Sequence, residues 1–162
     1  MEKVIQVDIE RCVGCRACEV ACSLKKTGRV DPSRSRIKVI RFEKRGEFHN
    51  YVPMVCQQCS TPLCLDACPL NAISKDPSTG AMIINEEACV GCRVCTVACP
   101  IGGISLDPVK DVVFKCDLCK GDPECVKYCE PQAISYVSKD KLDLQTKRAK
   151  SKRFSELFLL KL

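Results

Sequence analysis

Residues 56 to 105 read CQQCSTPLCLDACPLNAISKDPSTGAMIINEEACVGCRVCTVACPIGGIS. Cys56, Cys59, Cys64 and Cys68 form one run of thiols here, and Cys89, Cys92, Cys95 and Cys99 form a second. The second run is spaced C-x2-C-x2-C-x3-C, and the first widens its middle gap to C-x2-C-x4-C-x3-C. Three thiolates on one tight loop, with a fourth a helical turn further on, is an arrangement that grips a cubane iron–sulfur cluster. Both runs end in Cys-Pro, followed by Asn71-Ala72-Ile73-Ser74 or Gly102-Gly103-Ile104-Ser105. Proline after the last ligand turns the chain away, and the isoleucine can lay an apolar side chain over the nearby cubane. Asp76-Pro77-Ser78-Thr79-Gly80 reads as a turn, and residues 81 to 85 as a short strand into the next ligand loop. The unit is strand, loop and short helix, repeated.

Two further runs lie outside this stretch. Cys12, Cys15, Cys18 and Cys22 repeat the tight spacing, and Cys116, Cys119, Cys125 and Cys129 stretch it to C-x2-C-x5-C-x3-C. The last run continues as CEPQAIS, with Pro131 one place late and Ile134 in the covering position. All 16 cysteines of the chain are thereby used as iron ligands, enough for four [4Fe–4S] clusters. Disulfides fit poorly, because cysteines at i, i+3 and i+6 crowd one loop and cannot pair efficiently. Structural zinc fits poorly too: its knuckles use two cysteines and often recruit histidine, and the chain has 1 histidine.

Among 162 residues, aromatics make up 5% and tryptophan is absent, so the conventional core must be thin. The clusters are expected to supply much of the folding free energy, leaving an apoprotein that is largely unfolded. The formal charge of +6 counts every thiol as neutral. Four oxidised cubanes with their thiolates add roughly −8 and bring the loaded protein to about −2. That removes the case for nucleic-acid binding. No apolar stretch reaches the length of a membrane span. Residues 1 to 12, MEKVIQVDIERC, have no secretory pattern, and no twin-arginine leader is present. Free thiolates in such number point to a reducing compartment, the cytoplasm.

Residues 56 to 105 resemble bacterial two-cluster ferredoxins, in which the fourth cysteine of each run crosses to the partner cluster. That resemblance implies one cluster on Cys56, Cys59, Cys64 and Cys99, and another on Cys89, Cys92, Cys95 and Cys68. Residues 4 to 137 as a whole resemble the four-cluster electron-transfer subunits of molybdenum and tungsten oxidoreductases. These include the dimethyl-sulfoxide-reductase and formate-dehydrogenase types and the polyferredoxin partners of aldehyde oxidoreductases. The resemblance includes Tyr51-Val52-Pro53 ahead of Cys56, although many members carry His where Gln58 stands. It implies that the outer runs pair across the chain, with Cys12, Cys15, Cys18 and Cys129 on one cluster. Cys116, Cys119, Cys125 and Cys22 would hold the other.

The expected fold is α+β, with two pseudo-symmetric ferredoxin modules. The outer module takes residues 1–22 and 106–145, and the inner takes 56–105. Residues 23–55 form a basic linker with a β-hairpin, and 146–162 a C-terminal amphipathic helix. In the hairpin, residues 36 to 43 alternate with a slip at Val39-Ile40 that reads as a bulge. Residues 48 to 55 return as the second strand. Arg34, Arg36, Lys38, Arg41, Lys44 and Arg45 make it basic, either as a solvated face or as a docking surface. His49, with no nearby acid or nucleophile, reads as an ordinary strand or loop residue. The tail can pack on its own modules, dock on a partner or a second copy, or touch a membrane.

A cubane held by four cysteines has no open iron position, so it moves electrons and binds no substrate. No phosphate loop or nucleophile with a base accompanies the runs, and catalytic residues are therefore none. The expected role is that of an electron-transfer subunit. It would link a large pterin-metal catalytic subunit, of aldehyde or formate class, to a second carrier or flavin subunit. The alternative is a freely diffusing polyferredoxin, with a redox-sensing or zinc-binding regulator a third reading. Self-association into a wire remains open.

Overall fold

The computed structural model describes residues 2–44 and 46–141. Their elements are β1 (Lys3–Val7), α1 (Ala17–Thr27), β2 (Ile37–Lys44), β3 (Glu47–Val55), α2 (Leu63–Asp66), β4 (Ile73–Lys75) and β5 (Met82–Ile84). They continue as α3 (Val94–Ala98), β6 (Ile104–Leu106), β7 (Val113–Lys115), α4 (Glu124–Lys127) and β8 (Ile134–Ser138). The result is a small mixed fold of strands and helices. Strands pair antiparallel in two-stranded sheets, β1 with β8, β2 with β3, β4 with β5, and β6 with β7. Such ribbons are marginal alone, so the fold depends on what packs between them.

What packs there is largely cysteine. One buried group joins Ile5, Ile37, Val39, Val55, Leu118 and Ile134 with Cys18, Cys22, Cys56, Cys116 and Cys125. The other joins Ile73, Met82, Ile104 and Val113 with Cys64 and Cys95. Ile73, Ile104 and Ile134 are 5%, 6% and 3% exposed, each the first residue of its strand.

Local sequence explains the turns. The Asp76 carboxylate accepts from the Ser78 and Thr79 amides at 3.3 and 3.2 Å, while its own amide donates to the Ala81 carbonyl at 2.7 Å. Asp107 repeats the device, accepting from the Val109 and Lys110 amides at 2.8 and 3.2 Å. The chain then closes with Asp111 at φ +54 where the first turn has Gly80 at +72. This second turn, Asp107 to Asp111, carries no glycine and was missed in the sequence. After the fourth cysteine of the last three runs the third residue on is left-handed: Asn71 (φ +50), Gly102 (+64) and Gln132 (+53). Their amides donate to the carbonyls of Cys68, Cys99 and Cys129 at 3.2, 3.3 and 2.9 Å.

The hairpin forms, but its irregularity lies elsewhere than the Val39-Ile40 slip. Val39 is buried and Ile40 is simply an exposed apolar residue, so alternation continues through both. The register shifts between Phe42 and Glu43, opposite His49, which is the extra residue on β3. The basic residues here are mostly engaged within the chain. Arg34 donates to one Asp107 oxygen from Nε and Nη2 at 3.0 and 2.7 Å. Arg36 and Lys26 share Asp117 at 3.2 and 2.6 Å, and Arg41 meets Glu43 at 2.7 Å. Arg45 lies outside the described residues. Residues 146–162, expected as an amphipathic helix, also lie outside them. Among the described residues, no helix is long and apolar enough to cross a membrane.

Candidate metal centres

All sixteen cysteines are free of disulfides. Three apolar cavities each draw three cysteines from one run and one from another. Cys12, Cys15, Cys18 and Cys129 line the first, under Ile134 and Ala133. Cys22, Cys116, Cys119 and Cys125 line the second with Ile5, Ile37 and Val55. Cys68, Cys89, Cys92 and Cys95 line the third with Ile73, Ile84 and Val113. Of the remaining four, Cys64 and Cys99 lie in one buried group, and the Cys56 Cα stands 2.9 Å from where a Cβ on Gly103 would be.

The ligand loops are shaped by left-handed residues. In CVGCR, which occurs at residues 12 to 16 and again at 89 to 93, Gly14 and Gly91 have φ +72 and +69. Arg16 and Arg93, at +59 and +64, then start α1 and α3. A Cβ on Gly91 would stand 2.2 Å from the Asp111 carbonyl oxygen. In the fourth run, Leu118, Cys119, Lys120 and Gly121 all have positive φ, and the Asp117 carboxylate accepts from the Cys119 amide at 3.1 Å. Backbone amides also reach sulfur. Ala72 donates to Cys68 Sγ, Gly103 to Cys99 Sγ and Arg36 to Cys22 Sγ, each at 3.3 Å. Such bonds favour the anionic sulfur of a cluster ligand.

Without a metal these thiols would be reluctant to ionise. Burial pushes Cys18 and Cys116 up to about 12, and raises Cys125 and Cys95 as well. Iron bound to the sulfur reverses that preference, since a coordinating thiol is deprotonated outright. An apolar cavity lined by four thiols suits a cubane cluster. Cysteines of different runs adjoin: Cys18, Cys22, Cys56, Cys116 and Cys125 share one buried group.

Sequence reasoning missed several supporting residues. Gln58, at φ +48 and 1% exposed, lies between two ligands of the second run. Its Nε2 donates to the Cys116 carbonyl at 2.8 Å, and its Oε1 accepts from the Met82 amide at 2.8 Å. Its place inside C-x2-C drew notice only as a departure from His. Glu19, 4% exposed, accepts from the Val39 amide at 2.6 Å and fastens α1 to the hairpin. A Cβ on Gly103 would stand 2.9 Å from the Cys56 Cα, which explains glycine there where the preceding repeat has Ala72.

A family model described as 4Fe-4S dicluster domain matches residues 47–139, and one described as 4Fe-4S binding domain matches residues 9–28. The chain belongs to the 4Fe-4S dicluster family. This dicluster protein is 45% identical over 125 residues to the polyferredoxin-like subunit of aliphatic sulfonate oxidoreductase from Pyrococcus furiosus, covering 77% of this chain and 70% of that one. It is 37% identical over 134 residues to the beta subunit of NADH-dependent phenylglyoxylate dehydrogenase from Aromatoleum evansii, covering 83% and 30%. A tetrathionate reductase subunit of Archaeoglobus fulgidus matches at 36% over 116 residues, covering 72% and 54%. The chain thus spans less than two thirds of the latter two relatives. As a dicluster protein it carries [4Fe–4S] clusters, and its chemistry is electron transfer rather than catalysis of its own.

Proposed function

We propose that this dicluster protein is the relay subunit of an oxidoreductase, holding four [4Fe–4S] clusters in a row. Cys12, Cys15, Cys18 and Cys129 take cluster A, and Cys116, Cys119, Cys125 and Cys22 take cluster B. Cys56, Cys59, Cys64 and Cys99 take cluster C, and Cys89, Cys92, Cys95 and Cys68 take cluster D. Clusters A and B belong to an outer module closed by the β1–β8 ladder, and C and D to an inner one. When bound, each cluster supplies a one-electron couple; the chain supplies burial, amide bonds to sulfur and fixed charge.

One observation carries the reading. Cys18 of A, Cys22, Cys116 and Cys125 of B and Cys56 of C share one buried group, and Gln58, between two cysteines of C, donates to the Cys116 carbonyl of B at 2.8 Å. Cys64 and Cys95 share one buried group, which brings C beside D. Exposed cysteines, Cys15 in A, Cys59 in C and Cys92 in D, offer points of entry and exit. The partners are a large pterin-metal catalytic subunit and a second carrier or flavin subunit. The working compartment is reducing, as thiolate ligands require.

Anaerobic native purification tests the assembly: a stoichiometric large subunit should co-elute. A lone monomer that exchanges electrons with several enzymes would replace this reading with a mobile polyferredoxin. The crossed ligands are tested by Cys68→Ser, which should disturb the spectroscopic signal that Cys89→Ser disturbs. Disturbance only of the signal shared with Cys56→Ser would refute the crossing.

A further inference from the structure

The two copies of CVGCR, at residues 12 to 16 and 89 to 93, are held by different means. Beside Gly91 lies backbone, the Asp111 carbonyl oxygen. Beside Gly14 lies a side chain. A Cβ on Gly14 would stand 2.5 Å from Cε2 of Tyr51 and 2.6 Å from both Cδ2 and Cε1. Cδ2 and Cε1 face each other across the ring, so that point lies over the ring's face and Gly14 packs flat against it. Tyr51 reaches this place from β3. It stands opposite Arg41, as Pro53 stands opposite Val39 and Val55 opposite Ile37, so all six share one face of the hairpin. Ile37, Val39 and Val55 are buried on that face. Val39 and Pro53 line the cavity of Cys12, Cys15, Cys18 and Cys129. Phe48 backs the Tyr51 ring, with centroids 4.9 Å apart and planes at 49°, and the Arg41 guanidinium lies 5.6 Å from the Phe48 ring.

We infer that Tyr51 is a positioning residue for the cluster of Cys12, Cys15, Cys18 and Cys129, its ring clamping the Cys12–Cys15 loop so that iron stays in the site and water stays out. The other CVGCR loop needs no such side chain, because the Asp111 backbone closes on it directly. The hairpin thereby gains a role of its own at one cluster. Tyr51 ligates nothing and acts through the backbone of the loop. The contact is made by ring carbons, so phenylalanine should serve as well. Reduction adds negative charge to the cluster, and water stabilises the more highly charged state. Loosening the loop therefore eases reduction of this cluster as well as release of its iron. The inference rests on the cysteine sets proposed above.

The test uses the anaerobically purified full chain with its clusters in place, followed by electron paramagnetic resonance. Cys12→Ser first identifies the signal of the cluster concerned, and Cys129→Ser should disturb the same one. If these two mark different signals, the proposed cysteine set fails, and Tyr51 is still judged on the Cys12 signal alone. Tyr51→Leu should speed the loss of that signal to an iron chelator about tenfold or more. At the parent midpoint potential it should raise the ratio of reduced to oxidised cluster about threefold or more. The other signals should change by less than about twofold in both measurements, and Tyr51→Phe should match the parent. Tyr51→Leu protein that arrives without this one signal is the same result at its limit. An unmoved Cys12 signal in Tyr51→Leu would overturn the inference. So would equal changes in every signal, which would make Tyr51 a folding residue, or a phenylalanine variant as weak as the leucine one.

Discussion

Gly91 combines a left-handed backbone with a carbonyl oxygen 2.2 Å from where a Cβ would stand. Gly91→Ala therefore meets both the αL penalty, about 1–2 kcal/mol, and a backbone clash that no rotamer relieves. The variant should lose one cluster, about four irons per chain, with the remaining clusters retained; iron and acid-labile sulfide counts check this. Gln58→Ala acts differently, stranding the Cys116 carbonyl and the Met82 amide in a buried site. Each buried group left without its partner costs about 1–3 kcal/mol. A thermal melt of the loaded variant should show the loss, and an unchanged melt would mean that Gln58 is no clamp. The two residues differ in how far sequence reveals them. Gly91 recurs as Gly14 in an identical CVGCR, so its importance was visible although the Asp111 contact was not. Gln58 binds groups 24 and 58 positions away, and no local pattern encodes that.

The hairpin shows why an element can be read correctly while its use is misjudged. Residues 37 to 55 announce two strands by alternation, and both form. Their basic character says nothing about partners 70 or more positions away, yet Asp107 and Asp117 take Arg34 and Arg36. The bulge was misplaced because Val39-Ile40 looks like a break in pattern, whereas strand faces tolerate an exposed isoleucine. Just ahead of the hairpin, Arg34 ties to Asp107 through two hydrogen bonds. Burial alone would push the Asp107 carboxyl up, but Arg34 and the Val109 and Lys110 amides together hold it below the usual range. A carboxyl depressed on folding stabilises fully above its unfolded value, about 4, and that stability is lost as pH falls through the folded value. Asp107→Asn should thus lower stability by about 1.5–3 kcal/mol at neutral pH. The gap from the parent should narrow on acidification. Denaturant melts at neutral pH and at about pH 3 measure both; a gap that widens in acid would contradict this assignment.

At the scale of the molecule, ribbons two strands wide enclose cores in which cysteine rivals aliphatic residues. Iron is then part of the packing, and its removal should abolish the fold rather than loosen it. Anaerobic chelation should convert dispersed amide resonances into those of an unfolded chain, in step with iron loss. A dispersed spectrum from iron-free protein would show that the peptide holds its shape unaided. The run spacings carried most of this architecture, because ligand geometry is local and the repeats are nearly identical. Long-range fastenings such as Glu2, which meets Lys139 at 2.6 Å and also pairs with Lys75, had no such signature.

The β1–β8 ladder joins Lys3 to Ser138 and Val7 to Ile134. As the chain leaves the ribosome, Cys12 to Cys22 must wait for more than a hundred further residues before their neighbours around Cys116 to Cys129 arrive. The middle runs meet theirs within about fifty. On the proposed cysteine sets, metallation is expected to run from the centre outwards, leaving the nascent amino-terminal thiols longest to oxygen and to the wrong metal.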